Sequence, residues 1–189
     1  MQNLTSRQQL TIGIILAAIM AATRSHHFTG LHHLPDASWA IFFLAGAYLK
    51  RTWPFPALLA LAATSDYIAI TWGGVNSFCV SPAYALLLPA YGALWLTGRW
   101  YAQRHCERIV TLLPLTLAAS GGALICELLA SGGFYVFSGR FAEPTLAEFA
   151  GRLVKYFPHS LASLALYIGI AALLHAALSS LGDKTRHAR

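Results

Sequence analysis

Long apolar runs, each closed by a short basic stretch or by one rich in glycine and histidine, set the pattern of this chain. Six runs predict helices, at about 7–23, 37–50, 54–72, 82–98, 108–131 and 145–181. A helix that crosses a bilayer needs about 20 mostly apolar residues, and fewer where flanking side chains reach the interface. The pattern therefore predicts an all-α integral membrane protein, a single transmembrane domain over 1–189 built as a bundle of six helices. The second run is short, and Pro54 and Pro56 mark its boundary with the third. The last run exceeds one simple span, so its first turns are expected to protrude or tilt outside the core. Pro89, Pro114 and Pro158 fall inside predicted helices and are candidate kinks. The first run, with Arg7 ahead of Leu10 to Ala22 and small residues after, also has the look of a secretory signal peptide. We read it as a retained first helix.

Composition agrees with this pattern. Of 189 residues, 57% are hydrophobic and 11% charged, against about 25% charged in soluble domains. The net charge of +6 raises the question of nucleic acid. The basic residues, however, stand at the ends of apolar runs and form no stripe or patch, so anchoring and orientation in a bilayer explains them better than nucleic acid does. There is no room for a soluble ATPase domain. Gly182-Asp183-Lys184-Thr185 mimics the tail of a phosphate-binding loop but lacks its upstream glycines.

Charge also predicts orientation. With the N-terminus inside, Arg7, Lys50, Arg51, Arg99, Arg104, Arg108, Lys184, Arg186 and Arg189 fall in inner segments, nine in all. The outer segments hold four: Arg24, Arg140, Arg152 and Lys155. That asymmetry follows the positive-inside rule and puts both termini in the cytoplasm. The outer connections, 24–36, 73–81 and 132–144, are the longer ones, and long loops rich in glycine, histidine and aromatics often carry function.

Topology separates the three cysteines. Cys79 lies in the second outer loop, Cys106 in an inner loop and Cys126 within the fifth helix, so no intrachain disulfide is expected. Cys79 is then an unpaired outer thiol: either a small side chain packed under its loop or a soft ligand for a transition metal. The first outer loop carries His26, His27, His32 and His33, a metal-friendly set whose spacing matches no zinc pattern. Asp66 and Glu127 are carboxyls inside predicted helices, where each needs a partner or a wet cavity. Glu148, Arg152, Lys155 and His159 share one stripe of the sixth helix. Arg152 can pair with Asp66 or Glu127, and the sequence does not choose. With Tyr84 and the Phe134-Tyr135-Val136-Phe137 loop at the same level, these residues predict an outward-facing pocket with a polar lining and aromatic walls. On the first helix, Ala17, Ala18, Ala21 and Ala22 form a small-xxx-small face, suited to packing inside the bundle or to a partner helix.

With these residues in view, the chain resembles the BtuM family, the cobalamin-specific S-components of energy-coupling-factor (ECF) vitamin transporters. The resemblance covers nearly the whole chain. It rests on the six-helix size, the paired alanines, the histidine loop running into Leu34-Pro35-Asp36-Ala37-Ser38-Trp39, and the lone Cys79 before the fourth helix. It implies capture of cobalamin (vitamin B12) from outside a prokaryotic inner membrane. It also implies docking of the alanine face on a transmembrane coupling subunit that carries two ATPases. Cys79 would be an axial ligand to the cobalt, with His27, Asp66, Tyr84 and Arg152 as neighbouring pocket positions. A thiolate trans to cyanide would weaken the cobalt–cyanide bond, so bound cyanocobalamin is expected to lose cyanide. The runner-up function is a cobalt or nickel ion permease subunit using the histidine loop. An intramembrane cysteine hydrolase is a third class, for which no nucleophile elbow is present.

Overall fold

The computed structural model describes residues 4–24, 34–74, 81–106 and 109–187. Among them the chain is helical and has no strand. The α-helices are α1 (Ser6–Arg24), α2 (Ser38–Tyr48), α3 (Pro54–Thr71), α4 (Leu87–Arg104), α5 (Leu112–Glu127), α6 (Gly133–Phe137) and α7 (Leu146–His187). A 3-10 turn, Pro82–Leu86, leads into α4, and a π turn, Leu128–Gly132, joins α5 to α6.

Three stretches are long and apolar enough to cross a membrane: Pro54–Thr71, Leu112–Phe137 and Leu146–Ser179. Only 28%, 28% and 17% of their apolar windows are buried within the protein. Leu113, Leu117 and Leu124 on α5, with Leu173, Leu174 and Leu178 on α7, point outward. Water does not tolerate so much apolar helix surface, so the surrounding solvent is lipid. The chain is a membrane protein. α2 is apolar but has 11 residues. α7 has 42 residues, about 63 Å at 1.5 Å per residue, and runs through Pro158 without a break in its helix.

Lipid gives helices little hydrophobic reason to associate, so close packing must hold them together. The core lies between α2 and α4, and nearly all of α2 is buried. Here two glycines work in reciprocal positions. A Cβ on Gly46 would strike the Trp95 carbonyl, and a Cβ on Gly98 would strike the Phe43 carbonyl. The two backbones therefore touch, and Phe42, Phe43 and Leu94 fill the space around the seam. Phe42 stacks on Tyr91 at a centroid distance of 4.3 Å. Pro54 starts α3 at a position where its missing N–H costs nothing. Gly74, with φ of 69°, follows the end of that helix.

One expectation is corrected. The Phe134–Phe137 segment is not part of an outer loop over 132–144. It is α6, continuing α5 through the π turn to Phe137. Gly132 and Gly133 suggest a loop in sequence, but here they are contact points inside a helix. The Phe149 ring packs against Gly132, and a Cβ on Gly133 would strike the Leu86 side chain. Both glycines are small so that the 3-10 turn and α7 can approach.

Candidate functional site: a polar cavity at the Arg24 end

The Arg24 end of the bundle holds a cavity of about 360 Å³, and Arg24 closes one side of it. Arg24 is the last residue of α1, and its side chain is 10% exposed. Its Nε donates to Asp66 Oδ1 at 2.6 Å and its Nη2 to Asp66 Oδ2 at 2.7 Å, a two-pronged ion pair. Its Nη1 donates to Ser38 Oγ at 2.8 Å and to the Tyr91 hydroxyl at 3.0 Å. The Tyr84 hydroxyl donates to Asp66 Oδ2 at 2.7 Å. One guanidinium thus ties α1 to α2, α3 and α4, and Asp66 draws in the 3-10 turn. A planar fork with several donors does this; a lysine could not.

The segment Leu34-Pro35-Asp36-Ala37-Ser38 frames this knot. Asp36 Oδ1 accepts from the Ser38 N–H at 2.9 Å and from its hydroxyl at 2.7 Å, a local turn of the Asx type just ahead of α2. Thr23 Oγ1 accepts from the Ala37 N–H at 3.2 Å, and the Tyr167 hydroxyl donates to the Pro35 carbonyl at 2.7 Å. The Pro-Asp-Ala-Ser run is thus held from α1, α7 and the arginine, which aims Ser38 at Arg24.

The opposite wall comes from α5, α6 and α7. Glu127, Ser131, Phe134 and Tyr135 line the cavity from one helical face, and Phe149, Arg152, Leu153 and Tyr156 from another. The Tyr135 hydroxyl donates to Glu148 Oε2 at 2.9 Å and accepts from the Thr145 N–H at 3.0 Å. Arg152 lies against rings, its guanidinium carbon 4.8 Å from the Phe141 centroid and 5.9 Å from that of Tyr135. Glu127 is 4% exposed and has neither a hydrogen bond nor an ion pair among the described residues.

The expected site residues therefore divide. Asp66, Tyr84 and Arg152 all line the cavity. The partner of Asp66 is Arg24, not Arg152, because Arg24 ends α1 beside α3 while Arg152 is held among aromatic faces across the cavity. The stripe on α7 also divides: Arg152 faces the cavity, Lys155 and His159 are exposed, and Phe149, Leu153 and Tyr156 complete the wall. His27 and Cys79, with the other loop histidines, lie outside the described residues. Cys79 stands two residues before Ser81 and five before Tyr84 in the chain. Ser81 Oγ is shut from solvent and has no hydrogen-bond partner among the described residues. Among the described residues no group of three His, Cys, Asp or Glu side chains could hold a metal ion. Of the alanines, Ala17 lines a groove of about 780 Å³ between α1 and α3, Ala18 is exposed, and Ala21 and Ala22 are half-buried.

Arg24 and Tyr91 are the members of the site that sequence reasoning missed. Arg24 counted as one of four outer charges. Its signal was available: an arginine directly after an apolar run on the side poorer in basic residues has a reason to be there other than orientation.

No protein-family model matches the chain, and no curated protein matches it.

Proposed function

We propose that the chain is the cobalamin-capturing S-component of an ECF-type vitamin transporter in a prokaryotic inner membrane. In this reading the bundle has six spans with both termini cytoplasmic. The Arg24 end faces outward, and the basic end that carries Lys50, Arg51, Arg99 and Arg104 faces the cytoplasm. Transport then proceeds by docking α1 on a transmembrane coupling subunit with two ATPases.

The observation that carries the reading is the cavity: a ligand-sized recess in a membrane protein, at the end away from that basic cluster, with aromatic walls and a fixed polar frame. Ligand pockets span about 300–1,000 Å³, so 360 Å³ takes one edge of a corrinoid and not its whole body. Tyr84, Phe134 and Tyr156 offer flat surfaces to a macrocycle. Arg152 and Glu127 offer a cation and an acceptor to its phosphate and amides. The Arg24 knot fixes this wall, since its own charges are paired within the protein.

Cobalt ligation is assigned to Cys79, just upstream of Ser81. A free thiol has a pKa of about 8.5 and is mostly protonated at neutral pH. Binding to Co(III) favours the thiolate and releases the proton. With cyanocobalamin the exchange balances: the sulfur–cobalt bond forms, the cobalt–cyanide bond breaks, and cyanide leaves with the thiol proton as hydrogen cyanide.

Purification from cells supplied with both cobalamin and Co²⁺ tests the reading. Intact corrinoid travelling with the protein supports it. Free cobalt bound without corrinoid supports an ion permease subunit that uses the histidine loop instead.

A further inference from the structure

We propose that Glu127 is the specificity-determining residue of this cavity, selecting a ligand edge that presents N–H donors; on the corrinoid reading, on which the inference rests, these are the primary amides of the macrocycle. Buried polar groups are nearly always hydrogen-bonded, and a carboxylate needs donors. Glu127 is 4% exposed, lines the cavity, and has no donor among the described residues.

Three of the surrounding donors are committed elsewhere. Tyr84 gives its proton to Asp66, Tyr135 gives its proton to Glu148, and Arg24 is spent on Asp66, Ser38 and Tyr91. Asp66, the other carboxyl within a helix, accepts three hydrogen bonds from protein groups. The fold can therefore supply donors to a carboxyl at this end, yet it gives Glu127 no protein donor among the described residues.

The backbone gives a second, independent sign. The residue after Glu127 begins the π turn Leu128–Gly132. A π turn is rare and is frequently found at functional sites. Here it lies in the cavity wall and contributes Ala130 and Ser131 to the lining. The cavity lining thus holds an acceptor at Glu127 with no protein donor among the described residues and, on the α7 face of the lining, a guanidinium at Arg152 beside ring faces. A primary amide matches both, giving its N–H to one and its carbonyl to the other. A carboxylate side chain brings Glu127 no N–H donor.

The test uses the full-length protein in detergent, with Glu127→Gln and Glu127→Ala beside it. Binding is titrated calorimetrically with dicyanocobinamide, whose side chains are amides, and with dicyano-cobyrinic acid, whose side chains are carboxylates. The native protein should prefer the amide form by about thirtyfold, the size expected for a hydrogen bond to a charged group. Glu127→Gln, which can both donate and accept, should cut that preference to about threefold. Glu127→Ala should weaken cobinamide binding by about tenfold. Ligand-free Glu127→Gln should melt no lower than the native protein, because it removes an unpaired buried carboxyl; a structural role predicts a lower melting temperature. An unchanged preference in a Gln variant that melts normally overturns the inference and leaves the corrinoid reading standing. A native protein that binds neither probe overturns the corrinoid reading and the inference with it.

Discussion

The Gly46–Gly98 seam and the Arg24 knot join the same two helices, α2 and α4, by opposite means. The seam has no polar side chain at its contact; each glycine faces the other helix's carbonyl. The knot is almost wholly polar, with Ser38 of α2 and Tyr91 of α4 both accepting from Arg24. The seam is a packing device, costless in electrostatics and intolerant of a single added carbon. The knot tolerates shape changes better, but it holds charge at low exposure, so it is stable only while every member is present. Pairing of this kind is weak evidence for net stability. Its value here is geometric: it fixes one wall of a cavity in a region where lipid supplies no driving force.

That contrast can be broken most severely at the seam. Gly98→Val places branched carbon against the Phe43 carbonyl, and α2 cannot retreat because nearly all of it is buried. We expect no monodisperse folded protein, checked by size-exclusion chromatography in detergent. Gly121→Ala is the control, since nothing lies within 4 Å of a Cβ there.

The knot should fail less completely. Arg24→Met leaves the part-buried Asp66 with only the Tyr84 hydroxyl, and Asp66→Leu leaves Arg24 with Ser38, Tyr91 and a distant Asp36, so each single variant should lose up to about 3 kcal/mol. The double variant, which removes both charges, should recover most of the loss in thermal unfolding. A double variant as unstable as either single one would show that the two charges do not act as a pair.

A smaller effect is expected where neither device is touched. Ala18 is exposed on α1, so Ala18→Leu should change stability by no more than about 0.5 kcal/mol and leave corrinoid binding intact. Uptake by cells should fall if the coupling subunit packs on that face. Loss of binding in this variant would show that α1 serves the cavity and not a partner.

The two regions also differ in how far the sequence disclosed them. The helices were legible because apolar runs of bilayer length have few alternatives, and Pro54 and Pro56 punctuate them plainly. Asp66, Tyr84 and Arg152 were legible as cavity residues because a polar group in an apolar helix needs a destination. The partner of Asp66 was not. Pairing depends on where helix ends meet in space, and Arg24 is 42 positions away in the chain. Gly132-Gly133 misled because glycine pairs commonly open loops, whereas these serve close approach by Phe149 and Leu86. The glycine seam gave no sequence signal either: Gly46 and Gly98 lie in separate apolar runs, and only their approach gives them meaning.

The central claim is that the Arg24 cavity is part of a corrinoid site whose cobalt is bound by Cys79. The most direct measurement is the absorption spectrum of purified protein incubated with cyanocobalamin, followed by size exclusion, for the native chain and for Cys79→Ser. The account predicts a corrinoid chromophore eluting with the native protein, its bands shifted by sulfur ligation, and free cyanide in the flow-through. Cys79→Ser should lose the shift and the cyanide while eluting as the same folded species. An identical spectrum for both proteins would contradict cobalt ligation by Cys79, and a native protein that elutes without any corrinoid band would contradict the account as a whole.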